Sequence, residues 1–333
     1  MNLQLDSKSI FPVAAKGGAV TIGNFDGVHR GHEAIIQQVR KLADEVSGPA
    51  VVFTFDPPPS HLLRPESAPA SLTGIERRTD LLKKLGIDFV IVYPTTKQLL
   101  DLEPEQFFES VVVRALNAKA IAEGENFQFG KRRRGDIAML KQLCDEHQLL
   151  FSLLQPQQDR GEWISSTRIR LLIEAGDIAG ANRLLIEPYR ISGIVVHGAK
   201  RGRTLGFPTA NLEHIPVLCP PPGVYAGRVM SCGVSTGNTH ALPCPVNLPV
   251  AINIGPNPTF GEARLKVEAH IIGFDGDLYD REIAIELLAN LRQVKKFESK
   301  DQLLAQLASD IDQAKRIANL VAVHPEPSRE SRE

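Results

Sequence analysis

The turn that decides the fold of the first half of the chain reads Thr21-Ile-Gly-Asn-Phe-Asp-Gly-Val-His29-Arg-Gly-His32. It follows the short apolar run 19–23 and leads into an amphipathic run, so a strand passes into a helix here. Its glycines let the backbone approach a phosphate closely, and a helix N-terminus offers free N–H groups and a positive dipole. The two histidines, three residues apart, share one face of that helix end. The stretch therefore predicts a phosphate-binding strand-to-helix turn.

Strands and helices alternate through the rest of this half. Buried strands are predicted at 50–55, 89–93, 118–122 and 149–154, and helices at 33–46, 75–85, 104–116 and 136–147. Thr73-Gly-Ile-Glu76 is expected to form a capping box, and Pro104 stands where a first-turn proline belongs. Two short helices, at 167–175 and 178–185, close this half. The alternation predicts a Rossmann-like α/β domain with a parallel sheet and a ligand at the carboxyl ends of its strands.

The pattern changes at Pro188. Short β-rich runs separated by Gly, Pro and Asn follow at 191–196, 224–230, 250–254, 266–272 and 283–288, and a last helix is predicted over 300–321. This spacing is typical of a small antiparallel barrel or sandwich. We predict a Greek-key β-barrel with a C-terminal helix, with domain boundaries at 1–186 and 187–323 and a solvated tail over 324–333. The polar segment 231–249 is interpreted as a surface loop.

Length and composition favour two globular domains and exclude several classes of partner. The 333 residues are 43% hydrophobic and 23% charged, with a formal net charge of -1, so no broad basic surface for nucleic acid is expected. Basic residues cluster locally at 131–134 and 200–203, which suits a small phosphorylated ligand. No run approaches the roughly 20 apolar residues of a membrane span, and the N-terminus does not have the pattern of a secretory signal. The four cysteines form no CxxC pair, and the expected compartment is the cytoplasm.

The first site has the components that nucleotidyl transfer needs. Negative charge accumulates on the α-phosphate during in-line attack, and His29 and His32 can donate hydrogen bonds to it without a covalent intermediate. A second element, Ile164-Ser-Ser-Thr167-Arg-Ile-Arg170, starts another helix whose hydroxyls, N–H groups and guanidinium can hold phosphates. The alternative for the first motif is a glycine-rich turn whose histidines are merely caps. The alternative for the second element is an ordinary capped helix, which explains the serines but gives the arginines no role.

A second phosphate-binding stretch lies in the other half. It reads His197-Gly198-Ala-Lys200-Arg-Gly202-Arg203-Thr-Leu-Gly206-Phe207-Pro208-Thr209-Ala-Asn211. Glycines with Lys and Arg between them make a flexible cationic loop, although the GK[ST] ending of a Walker A loop is missing. Thr209 and Asn211 point to the same side of an extended run and supply the hard oxygen ligands that Mg²⁺ prefers. The alternative is a β-hairpin with a basic turn.

Together these motifs resemble those of the prokaryotic bifunctional riboflavin kinase/FMN adenylyltransferases, also called FAD synthetases, from about residue 18 to about residue 318. The resemblance implies a transferase whose C-terminal domain phosphorylates riboflavin to FMN. Its N-terminal domain then converts FMN to FAD and pyrophosphate. ATP, riboflavin and FMN are the implied substrates and Mg²⁺ the implied cofactor. An oligomer is possible, and no nucleic-acid or membrane partner is implied.

In the first site the resemblance implies catalytic roles for His29 and His32. The predicted ATP contacts are Gly23, Phe25, Asp26, Gly27, His29, His32, Ser166, Thr167 and Arg170. The predicted flavin contacts are Asn24, Asn126, Phe127 and Phe129, the last three within Glu123-Gly-Glu-Asn126-Phe-Gln-Phe129. A flavin needs an apolar or aromatic wall with a few amide-type partners, which these side chains provide.

In the second site the resemblance implies that Glu268 is the base for the ribityl hydroxyl of riboflavin, with Thr209 and Asn211 as metal ligands. The predicted ATP contacts are Gly198, Lys200, Gly202, Arg203, Gly206, Pro208, Thr209 and Asn211. The predicted flavin contacts are Tyr225, Arg292 and Phe297, for which a core or helix-capping role is the alternative. His270, on the same strand face as Glu268, is interpreted as structural.

One departure from the family pattern concerns the loop after the second strand. Where the family commonly has Phe-Asp-Pro-His-Pro, this chain has Phe55-Asp56-Pro57-Pro58-Pro59, so a donor is lost at Pro58 and the loop is stiffer. A kinase with a decayed adenylyltransferase domain is therefore one alternative. A flavin-binding sensory protein is another, although a pure binder does not need the base Glu268. An adenylyltransferase for a different phosphorylated cofactor would leave the second half unexplained.

Overall fold

The computed structural model describes residues 11–198, 206–233, 245–257 and 262–321. Its contacts divide the chain into two compact units, Met1–Ser166 and Thr167–Glu333. This division falls earlier than the predicted boundary after residue 186, which stays a prediction. The helices predicted at 167–175 and 178–185 accordingly belong to the second unit by their contacts.

The first unit is built on a five-stranded parallel sheet. Its strands are β1 (Ala19–Ile22), β2 (Ala50–Asp56), β3 (Phe89–Pro94), β4 (Ala120–Gly124) and β5 (Leu150–Leu154), in the order β3-β2-β1-β4-β5. The predicted parallel α/β fold is confirmed. The direction in which the strands are added reverses between β1 and β4, and in such sheets ligands bind at this switch point, outside the carboxyl ends of the strands.

Helices surround this sheet because the apolar side chains of the strands are buried. They are α1 (Arg30–Glu45), α2 (Pro59–Leu63), α3 (Ile75–Lys84), α4 (Lys97–Leu100), α5 (Pro104–Phe107), a π-helical segment (Phe108–Ala115) and α6 (Ile137–Glu146), with 3₁₀ turns at Val13–Ala15, Pro65–Ser67 and Lys131–Arg133. A hairpin, β6 (Gln158–Asp159) and β7 (Glu162–Trp163), follows the sheet. Phe53, Phe108 and Ile121 are fully buried and form part of one apolar cluster.

Two local predictions are corrected in this unit. The capping box at Thr73 does not form: the N-cap of α3 is Gly74, and the Thr73 hydroxyl instead donates to Asp26 Oδ1 at 3.2 Å. The helix predicted over 104–116 is two segments, because α5 passes into π-helical geometry at Phe108. Pro104 does occupy the first turn of α5, as predicted.

The second unit opens with two helices, α7 (Ser166–Glu174, whose first residue closes the first unit) and α8 (Ile178–Leu184). Six antiparallel strands then close a barrel in the order β10-β11-β12-β9-β8-β13. They are β8 (Arg190–Val196), β9 (Ala210–Glu213), β10 (Gly223–Cys232), β11 (Pro249–Asn257), β12 (Glu262–Ile271) and β13 (Glu282–Arg292). The predicted barrel is confirmed, and its closed order pairs each of the six described strands on both sides.

The predicted C-terminal helix is present as α9 (Lys300–Val321) and packs on the barrel. Its small residue Ala314 is buried against Ala226 and Ile272 of the barrel. The Arg228 guanidinium of β10 donates to the Ala318 carbonyl oxygen at 2.6 Å, which satisfies one of the unpaired carbonyls in the last turn of the helix. An apolar stripe of small residues thus lets the helix lie close to the strands.

Candidate active sites

A cavity of about 250 Å³ lies where the fold predicts a ligand, at the carboxyl ends of β1 and β4. Seven predicted site residues line it: Gly23, Asn24, Phe25, His29, His32, Asn126 and Phe127. The turns after β1 and β4 are about a hundred residues apart in sequence, and parallel pairing of these strands brings them together. The predicted phosphate-binding turn and the predicted flavin segment therefore share one cavity.

The two histidines form a reciprocal cap at the start of α1. His29 Nδ1 accepts a hydrogen bond from the His32 backbone N–H at 3.3 Å, and His32 Nδ1 accepts one from the His29 backbone N–H at 3.3 Å. The two rings are stacked with centroids 3.6 Å apart. Because both Nδ1 atoms accept, a neutral ring carries its proton on Nε2. Each histidine thus keeps an Nε2–H donor for a ligand while it caps the helix.

Both histidines are neutral at physiological pH. Burial lowers the pKa of His29 to about 4. Burial also lowers the pKa of His32, and the charge that His29 carries when it is protonated and the charge of Arg78 lower it further. Two neutral donors at a helix N-terminus suit an anion that is bound together with a cation. They supply hydrogen bonds to the anion without adding a buried charge of their own.

Gly31 is explained by the space that the His29 ring takes. A Cβ at position 31 would lie 3.1 Å from both Cε1 and Nδ1 of His29 and 3.5 Å from the Ile164 carbonyl oxygen. Since Nδ1 is held by the His32 N–H, the ring has little room to yield. The glycine between the two histidines therefore makes their stacked arrangement possible.

Asp26 is buried in the scaffold of the turn. Its carboxylate accepts hydrogen bonds from the backbone N–H groups of Leu72 and Thr73 at 3.0 Å, and the Arg78 guanidinium lies 3.5 Å away. The Gly27 N–H donates to the Thr73 hydroxyl at 3.1 Å. These contacts fix the turn to the start of α3, and the ATP contacts predicted for Asp26 and Gly27 stay predictions.

The start of α7 is also tied to this turn. The Ser166 hydroxyl donates a hydrogen bond to the Asp26 backbone oxygen at 2.8 Å, so its proton is used within the protein. The helix begins at Ser166, which puts Ser165 at the N-cap position. Thr167 and Arg170 follow in the same helix and belong to the second unit. The phosphate contacts predicted for Ser166, Thr167 and Arg170 stay predictions.

The predicted flavin wall has one exposed face and one buried layer. Phe127 lines the cavity, whereas Phe129 is buried behind it in the apolar core, with the two rings stacked at 5.5 Å. A Cβ at Gly135 would lie 2.7 Å from the Phe129 ring, so the chain closes tightly over that ring. Direct flavin contact from Phe129 stays a prediction, but the geometry gives it the role of supporting Phe127.

The cavity has further lining residues that the sequence did not identify. Among them are Glu125 and Gln155, which are joined by a side-chain hydrogen bond, and Gln157 and Ile164. Glu123 also lines the cavity and is buried, its Oε1 accepting from the Ile22 N–H at 2.7 Å and the Thr21 hydroxyl at 3.3 Å. Burial raises the pKa of Glu123 well above its usual range. Glu123 opens the segment predicted to contact the flavin, but no site role was predicted for it; a carboxylate at the end of an apolar strand was the only further signal.

Pro58 lies outside the residues that line the cavity. It occupies the N-cap position of the short helix α2, after the end of β2. The preceding carbonyl, that of Pro57, accepts a hydrogen bond from the Thr95 hydroxyl next to β3. The proline at position 58 thus lies in a local helix start, and both histidines line the cavity.

In the second site the structure describes only part of the predicted loop. Lys200, Gly202 and Arg203 lie outside the described residues, and their predicted ATP contacts stay predictions. Gly198 packs against Asn211: a Cβ there would lie 2.7 Å from Asn211 Cγ and 2.9 Å from Oδ1. The glycine therefore leaves room for a predicted metal ligand.

The predicted base and a predicted metal ligand are neighbours in the barrel. Glu268 of β12 pairs with Asn211 of β9 on one side and with Asn253 of β11 on the other. Residues directly opposite each other in an antiparallel ladder share a face and have Cβ atoms about 4.5–5.5 Å apart. Their strand neighbours Ile252 and Val267 are buried, whereas these three are partly exposed. A carboxylate with an amide on each side thus faces outward from the barrel, and these three residues, together with Thr209 just before β9, are called the Glu268 row.

Asn253 was not among the predicted site residues. It falls within the predicted strand 250–254, and its position beside Glu268 depends on which strands pair and in what register. The signal that could have identified it is an amide side chain at a strand position that alternates with buried apolar residues, as Glu268 does on its own strand.

The donor set in this row fits a divalent hard cation. Thr209 offers a hydroxyl, Asn211 an amide oxygen and Glu268 a carboxylate, and oxygen ligands with few carboxylates are typical of Mg²⁺ bound together with nucleotide phosphates. Among the described residues no cluster of three or more His, Cys, Asp or Glu side chains could hold a metal by itself. The three oxygen donors Thr209, Asn211 and Glu268 fit the metal that the resemblance implies.

The predicted flavin contacts of the second site occupy two different environments. Tyr225 is fully buried, and its hydroxyl donates to the Pro221 carbonyl oxygen at 2.6 Å. The Arg292 guanidinium lies 5.7 Å from the centre of the Phe297 ring. It also pairs with the buried Asp310 of α9, with Nη2 and Oδ2 2.7 Å apart. The core role weighed for Tyr225 accounts for its contacts, and the three flavin contacts stay predictions.

Two family models match the chain, one in each half. The model described as FAD synthetase matches residues 12–168, and the model described as riboflavin kinase matches residues 185–318. The two matches separate the histidine cavity from the Glu268 row, in agreement with two sites on two units.

Curated relatives match both halves at once. A bifunctional riboflavin kinase/FMN adenylyltransferase of Escherichia coli (strain K12) is 36% identical over 295 residues, which cover 89% of this chain and 91% of the relative. One of Listeria monocytogenes is 35% identical over 294 residues, covering 87% of this chain and 89% of the relative. Both relatives match across nearly their whole length.

A solved structure described as a macrolide-efflux protein from Streptococcus pneumoniae superimposes with a TM-score of 0.77 at 30% identity. The match covers 90% of this chain and 94% of that chain. In the part of the present chain that the structure describes, no helix has both the length and the apolar character needed to cross a membrane.

Proposed function

The chain belongs to the family of bifunctional riboflavin kinase/FMN adenylyltransferases, and we propose that its two sites carry out two successive transfers from ATP. The chain is a transferase that phosphorylates riboflavin to FMN and adenylylates FMN to FAD. We assign the first reaction to the Glu268 row and the second to the histidine cavity. The observation that carries this assignment is the register of Glu268 beside Asn211, because a base next to a metal ligand serves phosphoryl transfer to an alcohol.

In the kinase reaction the primary ribityl hydroxyl of riboflavin attacks the γ-phosphorus of ATP. A bond forms between that oxygen and phosphorus, the bridging bond to the β-phosphate breaks, and ADP leaves. The Glu268 carboxylate takes the hydroxyl proton, while Thr209 and Asn211 orient the nucleotide from the adjoining strand. Mg²⁺, held by Thr209 and Asn211, would neutralise charge on the transferred phosphoryl group. Positioning supplies most of the catalysis.

In the adenylyltransferase reaction a phosphate oxygen of FMN attacks the α-phosphorus of ATP, and pyrophosphate leaves. The attacking oxygen carries no proton, so this site needs no base. It needs donors that stabilise the extra negative charge in the transition state. The Nε2–H groups of the neutral His29 and His32 rings meet that need, and the N-terminus of α1 adds its dipole. Phe127 and Asn126 on the facing turn then contact the flavin.

Two features weaken the alternative of a decayed first site. Pro58 lies outside the residues that line the cavity, and His29, His32, Asn24 and Asn126 all line it. The sensory alternative is weakened by Glu268, since a binding module does not require a carboxylate beside a metal ligand. The small molecules ATP, riboflavin and FMN are the proposed partners, and the cytoplasm is the proposed compartment.

One assay tests the assignment. The full chain is incubated with riboflavin, ATP and Mg²⁺, and the flavins are resolved by chromatography. Formation of both FMN and FAD is expected. FMN without FAD would support the decayed-site alternative, and the absence of any phosphorylated flavin would contradict the proposal.

Two variants separate the sites. H29A should abolish FAD formation while FMN accumulates, with H147A as the matched loss of a histidine away from the cavity. E268Q should stop FMN formation yet make FAD from supplied FMN, with E282Q on β13, a strand that does not pair with β12, as its matched control. Loss of both activities in E268Q would show that the sites are not separate.

A further inference from the structure

His270 makes a contact that links the catalytic strand to the metal-ligand segment. Its Nδ1 lies 2.7 Å from the Pro208 carbonyl oxygen, across 62 positions of sequence. A carbonyl oxygen can only accept, so the ring carries its proton on Nδ1 and donates it. The Phe207 ring stands edge-on to the imidazole with centroids 5.8 Å apart. Both contacts come from the segment immediately before Thr209.

The contact stands where the strand ladder ends. The pairs between β12 and β9 run Val267 with Leu212, Glu268 with Asn211 and Ala269 with Ala210, and β9 starts at Ala210. The next position on β12 is His270, which comes opposite the residue just before β9. A side-chain hydrogen bond therefore continues the attachment of the two chain segments by one residue beyond the backbone ladder.

This bond constrains Thr209 through covalent geometry. The carbonyl oxygen of Pro208, the amide nitrogen of Thr209 and the Cα of Thr209 lie in one plane, because the peptide bond is planar. A donor that fixes the oxygen therefore fixes the orientation of that plane and the position of the Thr209 Cα. Pro208 restricts the backbone on the other side of the same peptide, since its φ angle is held by the ring.

We propose that His270 is a positioning residue of the kinase reaction, which holds Thr209 in place for the metal–nucleotide while Glu268, on the same face of the same strand, takes the substrate proton. The base and the anchor of a metal ligand thus belong to one rigid strand, two residues apart. This inference rests on the proposed kinase function and on the role proposed for Thr209.

A merely structural histidine would stabilise the rim of the barrel and leave nucleotide binding unchanged. The two roles differ in what they predict for variants. H270N keeps a donor, because the Asn side-chain nitrogen takes nearly the place of Nδ1. H270A has none, and H270Q places its amide nearer the position of Nε2. A positioning role requires H270N to behave like the parent and H270A not to.

The experiment uses the full chain and two readouts. The first is FMN formation as a function of Mg²⁺ and ATP concentration. The second is calorimetric titration with Mg·ADP, in which the binding signal that T209A removes identifies the kinase site. H270A should raise the Mg²⁺ and ATP concentrations needed for half-maximal FMN formation about fivefold to tenfold, the range expected for one lost hydrogen bond. It should weaken the T209A-sensitive binding by a similar factor.

Adenylylation of supplied FMN reports on the rest of the chain and should stay at the parent rate in every His270 variant. H270N should restore metal and nucleotide dependence to within about twofold of the parent. Unchanged dependence in H270A, or the same shift in H270N as in H270A, would overturn the inference. If H270A does not fold, H270Q against H270N gives the same comparison with side chains of retained polarity.

The failure of this inference can be told apart from the failure of the proposed function. A parent chain that makes no FMN contradicts the function itself. A parent chain that makes FMN, with T209A impaired and H270A normal, contradicts only the positioning role of His270.

Discussion

The contact between Gly198 and Asn211 gives the sharpest prediction for the kinase half. Gly198 lies just beyond the end of β8, and its φ angle is outside the left-handed region, so space and not backbone conformation is the reason for a glycine here. In G198A the new methyl group would lie 2.7 Å from Asn211 Cγ, whereas carbon atoms in contact are normally about 3.5–4.0 Å apart. The Asn211 amide must therefore move by about 1 Å.

A displacement of that size at a catalytic group typically costs about a hundredfold in rate. We expect G198A to reduce FMN formation from riboflavin by about that factor. Adenylylation of supplied FMN should stay at the parent rate, because it takes place in the other unit. The measurement is the initial rate of each reaction on the same preparation, with flavins separated by chromatography.

G233A is the matched control in the same unit. A Cβ at Gly233 would meet Glu282 Cβ at 3.6 Å, which is ordinary van der Waals contact, so this variant should keep both activities. Parent-like FMN formation in G198A would refute the role of Asn211 in the kinase site. An equal loss of both activities would show that the substitution acts through folding and not through Asn211.

Three further predictions concern other parts of the molecule. G31A should lower FAD formation several-fold and spare FMN formation, because its Cβ would press on the His29 ring at 3.1 Å; unchanged FAD formation would contradict the role of the stacked rings. Burial lowers the pKa of His29 to about 4, whereas an unfolded histidine has a pKa of about 6.5. As the pH falls below about 6.5, the unfolded chain therefore takes up a proton at this position before the folded chain does. The free energy of unfolding should accordingly decline by about 3 kcal/mol between that pH and pH 4. Denaturant unfolding at several pH values should therefore show a shallower acid loss in H29N, and an unchanged slope would count against the burial effect. D310A should lower the free energy of unfolding by about 3 kcal/mol, since it leaves the partly buried Arg292 without its carboxylate, and D310A/R292L should recover part of that loss.

Local patterns predicted most of the secondary structure because they depend on neighbouring residues. The 3.6-residue and two-residue periodicities placed α9 at its observed bounds and the five parallel strands to within two residues of theirs. The capping box at Thr73 was wrong for a tertiary reason: the hydroxyl that could have capped α3 is used by Asp26, 47 positions away. A short motif shows what a side chain can do, and competing partners determine what it does.

The same distinction holds for the sites. The pairing of His29 with His32 was readable from spacing, because residues three apart meet at a helix end. The burial of Phe129 behind Phe127 could not be predicted from spacing. Two aromatic residues two positions apart are equivalent in sequence, and only the packing of the core shows which of them is buried. Glu123 was missed for the same reason, because its partners Thr21 and Ile22 lie on another strand.

The sequence by itself determined that this chain has a parallel α/β half and a barrel half, with a phosphate-binding turn in the first and a base with hard oxygen ligands in the second. These follow from periodicity and motif order, which are local properties. Only the tertiary structure decided that the turns after β1 and β4 enclose one cavity, that Asn253 stands beside Glu268, and that His270 holds the segment of Thr209. Those facts depend on which strands pair and in what register, and register is fixed by burial across the whole sheet.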